Sequence, residues 1–232
     1  MNVLSLFDGM SCGQIALNRA GIHYDNYFAS EIDKWAIQIT QENFPETIQM
    51  GDVQWLIAAQ LPKIDLLIGG SPCTGFSNAG RGLNFKDPQS KLFLEYVSLL
   101  RDLKPKYFLL ENVRMKKEWR DIISGFMGVE PILINLALVS AQNRERLYWT
   151  NIPGITQPED KKIYLKDIME SEVDEKYDIT EKMKNNLRGA TSIKRADEAI
   201  RFLNEKARCL GAQGQNISNA SATNVAMAYI KI

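Results

Sequence analysis

Asn2-Val3-Leu4-Ser5-Leu6-Phe7-Asp8-Gly9-Met10-Ser11-Cys12-Gly13 is a short apolar run that breaks into a polar, glycine-bearing turn. Asn2 to Phe7 has the make-up of a buried strand. Gln14 to Ala20 suits a helix, and Gly21 suits its C-terminal cap. The strand–turn–helix unit then recurs. Tyr24 to Ser30 reads as a second strand, and Ile32 to Phe44 as a helix that Pro45 closes. Ile64 to Ile68 is an apolar run of the kind buried on both faces of a parallel sheet, and it ends in Gly69-Gly70-Ser71-Pro72-Cys73. Ser90 to Leu103 is an amphipathic helix, and Tyr107 to Leu110 a further buried strand that ends at Glu111-Asn112-Val113. Ile132 to Val139 and Arg146 to Thr150 read as closing strands. This alternation predicts an α/β fold, a mostly parallel sheet with helices on both faces. Ligands of such folds sit beyond the C-terminal strand ends, and the polar stretches fall there.

Composition bounds the function. The chain has 232 residues, 45% hydrophobic and 24% charged, with 28 basic against 28 acidic side chains. That is ordinary for a folded domain with a small appendage. The zero net charge argues against coating nucleic acid by bulk electrostatics, though not against a local basic cleft. No run approaches the roughly 18 apolar residues of a membrane span. Met1-Asn2-Val3-Leu4 lacks a charged leader region, and three scattered cysteines, Cys12, Cys73 and Cys209, do not make a disulfide framework. A reducing cytoplasmic location is expected. From about Asn151 the character changes: Pro153 and Pro158 punctuate a charged stretch, and residues 207–224 are rich in Gly, Ser, Asn and Ala. The boundary is placed at 150, with residues 1–150 as the main domain and 151–232 as a small or partial second one.

Several residues invite chemistry, each with a plainer alternative. The Asp8 to Gly13 turn can bring backbone N–H groups close to a ligand, or be only a tight turn. Its Gly9-x-x-x-Gly13 spacing is not the Gly-x-Gly-x-x-Gly of NAD sites. Glu31 ends the second strand, where a carboxylate can accept from two ribose hydroxyls. Asp52 can accept from an adenine amino group or cap a helix beginning at Val53. Cys73 follows Pro72 at a buried strand end, as a small packing residue or as a thiolate activated by a nearby cation. A zinc-deaminase pattern fails, because residue 76 is Phe and the single histidine is His23. Glu111 can act as an acid at the sheet rim or cap a helix at a strand–helix junction. Arg144 and Arg146 fall on one face of a strand by the period of two, as a carboxylate or phosphate clamp or as a surface pair.

Taken in order, Ser5-Leu6-Phe7-Asp8-Gly9-Met10-Ser11-Cys12-Gly13, Ser30-Glu31-Ile32-Asp33, Gly51-Asp52-Val53, Gly69-Gly70-Ser71-Pro72-Cys73, Glu111-Asn112-Val113 and Gln142-Asn143-Arg144-Glu145-Arg146 resemble the C5-cytosine DNA methyltransferase family. The resemblance covers roughly the first 150 residues. It implies a Rossmann-like methyltransferase fold, S-adenosyl-L-methionine as cofactor, and cytosine-containing double-stranded DNA as partner, with a restriction-modification context. It implies that Cys73, Glu111, Arg144 and Arg146 are catalytic, on a base flipped out of the helix. Phe7, Asp8, Gly9, Gly13, Glu31, Ile32, Asp52, Val53, Pro72 and Leu92 become the cofactor residues. Residues 76–89, with Ser77, Arg81 and Lys86, become a closing loop over DNA, and Arg114, Lys116 and Lys117 extend its basic surface. Thr74 stands where the family often has Gln. The family also implies a Leu-Thr-x-x-Glu-type segment and an Asn-containing helix, neither found between Gly211 and Ile232. The expectation is therefore a chain without those motifs: a fragment, one half of a two-chain enzyme whose second chain supplies them, or an enzyme of reduced architecture. The alternative functions are a catalytically weak fragment or subunit and a cytosine-C5 methyltransferase of RNA (tRNA).

Overall fold

Strand β1 (Asn2–Leu6) runs through the middle of the molecule, with Val3, Leu4 and Leu6 fully shielded from solvent. The computed structural model describes residues 1–72, 88–171 and 206–208. Helix α1 (Cys12–Arg19) follows the turn and stops at Gly21, whose φ of +66° only glycine adopts freely. Then come β2 (Asn26–Ser30), α2 (Lys34–Asn43), the short β3 (Ile48–Gln49) and β4 (Leu66–Gly69). Asp33 starts α2 by accepting from the Trp35 and Ala36 amides at 2.8 and 3.1 Å. Next are α3 (Pro88–Leu103), β5 (Tyr107–Val113), α4 (Lys117–Met127), β6 (Ile132–Asn135), β7 (Gln142–Asn143), β8 (Glu145–Thr150) and β9 (Ala207–Arg208).

Seven strands form one sheet in the order β3-β2-β1-β4-β5-β8-β6. β1 pairs in parallel with β2 and β4, β2 with β3, and β4 with β5, while β8 returns antiparallel against β5. The expected mostly parallel sheet is present. The chain leaves β1 in one direction to build β2 and β3 and in the other to build β4 and β5. A ligand crevice forms at such a reversal. Phe93, Tyr96, Leu67, Leu110 and Trp149 fill one core cluster, and Val3, Tyr27, Ala29 and Leu66 belong to a second. Each fully buried large side chain contributes about 1.5–3 kcal/mol of transfer free energy. Trp149 satisfies its indole by donating to Ser124 Oγ at 3.0 Å.

Four details differ from the sequence reading. Val53 begins a single 3-10 turn, Val53–Trp55, rather than a helix. The strand from Ile132 ends at Asn135 and gives way to a 3-10 turn at Leu136–Leu138, where the Asn135 side chain accepts from the Ala137 amide at 3.0 Å. β5 runs on to Val113, so Glu111 and Asn112 lie within a paired strand and do not cap a helix. Arg144 falls in the break between β7 and β8, so it does not share a strand face with Arg146.

The chain divides into two units, residues 1–134 with 146–155, and residues 135–145 with 156–232. In the second, β7 pairs in parallel with β9, and Lys206 Nζ donates to the Ser140 and Ile163 carbonyls at 3.2 and 2.6 Å. The excursion 135–145, which carries Arg144, thus groups with the later part of the chain. Among the described residues no helix is long and apolar enough to cross a membrane, and no group of His, Cys, Asp or Glu could hold a metal. Residues 172–205 and 209–232, most of the second region of the sequence, lie outside the described residues.

Candidate active site

Because β1 to β5 are parallel, their C-terminal ends lie on one edge of the sheet. β1 ends in the Phe7–Ser11 turn, where Phe7, Gly9 and Ser11 have φ of +57°, +60° and +57°. For Phe7 and Ser11 this conformation costs on the order of 1–2 kcal/mol each. Such strain persists only where the surroundings over-determine it. Here they do. The Asp8 amide donates to the Ser30 carbonyl at 3.2 Å, and Thr40 Oγ1 on α2 donates to the Gly9 carbonyl at 3.3 Å. Asp8 is buried, and its carboxylate faces inward to accept from the hydroxyls of Ser11 and Tyr27. Asp8, expected among the cofactor residues, therefore acts within the turn.

Glu31 closes the turn from β2. One oxygen accepts the Gly9 amide at 2.8 Å, and the other accepts the Ile32 and Asp33 amides at 2.8 and 2.9 Å. Three of about four acceptor positions of a carboxylate are then used, leaving room for a further donor. Beyond β3, Asp52 Oδ1 accepts the Gln54 amide at 3.0 Å, while Oδ2 has no partner among the described residues. The cap alternative is thus present, and it engages a single oxygen of Asp52. Ile32 projects beside Glu31 with 72% of its surface exposed. Two carboxylates at successive strand ends, with an exposed apolar side chain next to one of them, fit the donors and flat ring of an adenosine-type cofactor. Val53 points into the core, and Phe7 and Leu92 are half-buried against it. Gly13 brings α1 close to the sheet: a Cβ there would lie 2.5 Å from Ile68 Cδ1 and 2.6 Å from Tyr27 Oη.

The second cluster lies where β4 and β5 end and the antiparallel β8 begins. In the β5–β8 register Arg146 faces Val113, one alternate position along from Glu111. Arg146 Nε donates to Glu111 Oε1 at 2.7 Å, with the two side chains 12% and 33% exposed. This geometry is a charge-assisted hydrogen bond that aims the carboxylate. Gly70 gives the carboxylate room, since a Cβ there would lie 3.0 Å from Glu111 Oε2. Asn112 is 2% exposed and reaches the carbonyl and hydroxyl of Ser71, both at 3.4 Å, so it ties β5 to the chain entering Pro72. Gly70, Ser71 and Asn112 were not among the sequence-derived site residues, although they adjoin Pro72 and Glu111. Cys73, Ser77, Arg81 and Lys86 lie outside the described residues. Arg114, Lys116 and Lys117 are exposed just beyond β5, and Lys117 pairs with Asp121.

The profile of C-5 cytosine-specific DNA methylases matches residues 1–230. The chain belongs to this family. The methylase fold is shared with a DNMT2 variant of Spodoptera frugiperda, at TM-score 0.64 and 24% identity over 82% of this chain and 65% of that one. It is shared with a putative DNA modification methyltransferase of an E. coli prophage, at TM-score 0.57 and 24% identity over 75% of this chain and 56% of that one. Among sequences, the chain is 31% identical to the orphan methyltransferase M.SPRI of Bacillus phage SPR, over 86% of this chain and 57% of the relative. It is 34% identical to the type II methyltransferase M.FnuDI of Fusobacterium nucleatum, over 72% of this chain and 54% of the relative. The chain thus spans a little over half the length of these two relatives.

Proposed function

We propose that this methylase transfers a methyl group from S-adenosyl-L-methionine to C5 of cytosine in DNA. The observation that carries the reading is the Glu111–Arg146 pair beside Gly70 and Ser71, on the same sheet edge as Glu31 and Asp52. Glu31 and Asp52 hold the cofactor's ribose and adenine, with Ile32 and Phe7 against the ring. The cofactor supplies an electrophilic methyl. The Cys73 thiolate adds to C6 of the flipped base, while Glu111, held by Arg146, hydrogen-bonds or protonates N3. C5 then becomes nucleophilic enough to take the methyl. Loss of the C5 proton to a base and expulsion of the Cys73 thiolate restore the ring. Arg144 steadies the base, Pro72 precedes the nucleophile, and Leu92 packs beside the cofactor. The segment with Ser77, Arg81 and Lys86 contacts DNA together with exposed Arg114 and Lys116. The region after 151 reads the DNA sequence. The setting is cytoplasmic.

The test uses duplex DNA carrying 5-fluorocytosine, from which the C5 substituent cannot leave. With tritiated S-adenosyl-L-methionine a covalent adduct should accumulate, and Cys73→Ser should abolish it. Equal RNA and DNA substrates are run in parallel. No adduct and no methyl incorporation with DNA, from protein that binds the cofactor, would refute the reading; label confined to RNA would move the substrate class.

A further inference from the structure

Tyr27 belongs to no motif. It sits in the middle of β2, 2% exposed, where a phenylalanine would fill the same space. Its hydroxyl nevertheless donates to Asp8 Oδ1 at 2.8 Å. The other Asp8 oxygen accepts from Ser11 Oγ, which in turn accepts from Gln14 Nε2 at 3.0 Å. Gln14 also donates to Thr47 Oγ1 at 2.7 Å and accepts from Tyr24 at 2.9 Å. The network is buried and holds one charge, that of Asp8. A buried carboxylate needs such donors, and removing one leaves an unbalanced charge.

We infer that Tyr27 is a positioning residue for the cofactor: it draws the Asp8 carboxylate inward and so locks the strained Phe7–Ser11 turn that presents Gly9 to Glu31. The inference rests on the proposed reading of Glu31 as a cofactor residue. Three observations converge on it. Phe7 and Ser11, on either side of Asp8 and Gly9, hold left-handed backbone angles that the chain would otherwise leave. The Gly9 amide, at the centre of the turn, donates to the Glu31 oxygen that has room for a further donor. Gly13 carries no Cβ at the one place where it would strike the Tyr27 hydroxyl, so the family's glycine and this tyrosine form one unit. Burial and the neighbouring Asp8 charge both hold the Tyr27 proton in place, which keeps it a donor.

Tyr27→Phe in the full chain tests this. S-adenosylhomocysteine affinity is measured by calorimetry, and methyl transfer is followed against cofactor concentration. Binding should weaken about tenfold, as for loss of a charge-assisted hydrogen bond, with kcat at saturating cofactor preserved. Asp8→Asn should weaken binding too, and the double variant should lose less than the two single losses combined. Unchanged affinity with a lowered melting temperature would reduce Tyr27 to a core residue and overturn the inference. So would a fall in kcat without a change in affinity. Should Tyr27→Phe fold poorly, Ser11→Ala removes the other donor and decides the matter by the same measurement. Failure of the parent protein to bind S-adenosylhomocysteine would instead refute the proposed function.

Discussion

Arg146→Gln removes the guanidinium from Glu111 while keeping a side chain of similar reach. The pair is joined at 2.7 Å, with Arg146 12% and Glu111 33% exposed. Two magnitudes follow from that asymmetry. For stability, a third of the Glu111 side chain already meets water, so solvent takes over part of the lost interaction. The cost should be about 1 kcal/mol, well below the 3–5 kcal/mol of a broken fully buried pair. That corresponds to a melting shift of roughly 2–4 °C. For catalysis, the carboxylate loses the donor that aims it where charge develops on the base. A charge-assisted hydrogen bond of about 1.5–3 kcal/mol then translates into a roughly 10- to 150-fold slower methyl transfer. Cofactor affinity should stay constant, because β8 lies on the far side of β5 and β4 from β1 and β2. Single-turnover transfer of tritiated methyl at saturating DNA gives the rate, and calorimetry gives the cofactor affinity. Arg146→Lys, a point charge without the fork, should recover part of the rate. A glutamine variant with full single-turnover rate, or one whose loss lies wholly in cofactor binding, would show that the Glu111–Arg146 contact is only structural.

The remaining predictions concern the cofactor side. Gly13→Ala places a methyl 2.5 Å from Ile68 Cδ1 and 2.6 Å from Tyr27 Oη, and should destabilise by about 1–3 kcal/mol in thermal unfolding. Asp52→Ser should keep the melting temperature, since serine also caps Gln54, yet weaken S-adenosylhomocysteine binding through loss of the oxygen that has no partner among the described residues. Calorimetric affinity equal to that of the parent would leave Asp52 with the cap alone.

The longer strands and their order along the chain were legible because each is an apolar run punctuated by glycine or by a polar end, whereas the two-residue β3, β7 and β9 carry no such run. Helix α4 was not. Lys117–Met127 sets Trp119, Ile122, Ile123, Phe126 and Met127 at helical spacing on one face, but Pro105, Lys116–Glu118 and Gly125 crowd this stretch with breaks and charges that mask the stripe. The helix forms because Ile123 and Met127 are buried in the core and Gly128, at φ +70°, closes it. The Glu111–Arg146 contact was half legible. A carboxylate and an arginine at strand ends suggest a clamp, but which arginine reaches it depends on the antiparallel register of β8 against β5. That register is a long-range property, and the break at Arg144 removed the even spacing on which the paired-arginine reading stood.

The buried side of the cofactor turn shows a different kind of gap. A motif records the side chains and glycines that meet a ligand, so Asp8 reads as one more ligand residue beside Gly9. Its surroundings add a second role: a carboxylate 9% exposed, with one oxygen on Ser11 and the other on Tyr27, is held by protein donors. Tyr27 in turn reads as an aromatic core residue, because hydrophobic pattern is blind to one hydroxyl at the tip of a buried ring. Only the approach of α1 to β2, permitted by Gly13, shows where that hydroxyl ends. The geometry of a strained turn is thus held from beneath by residues that the pattern of the binding face does not contain. Substitutions under the turn should change affinity for the cofactor without touching it.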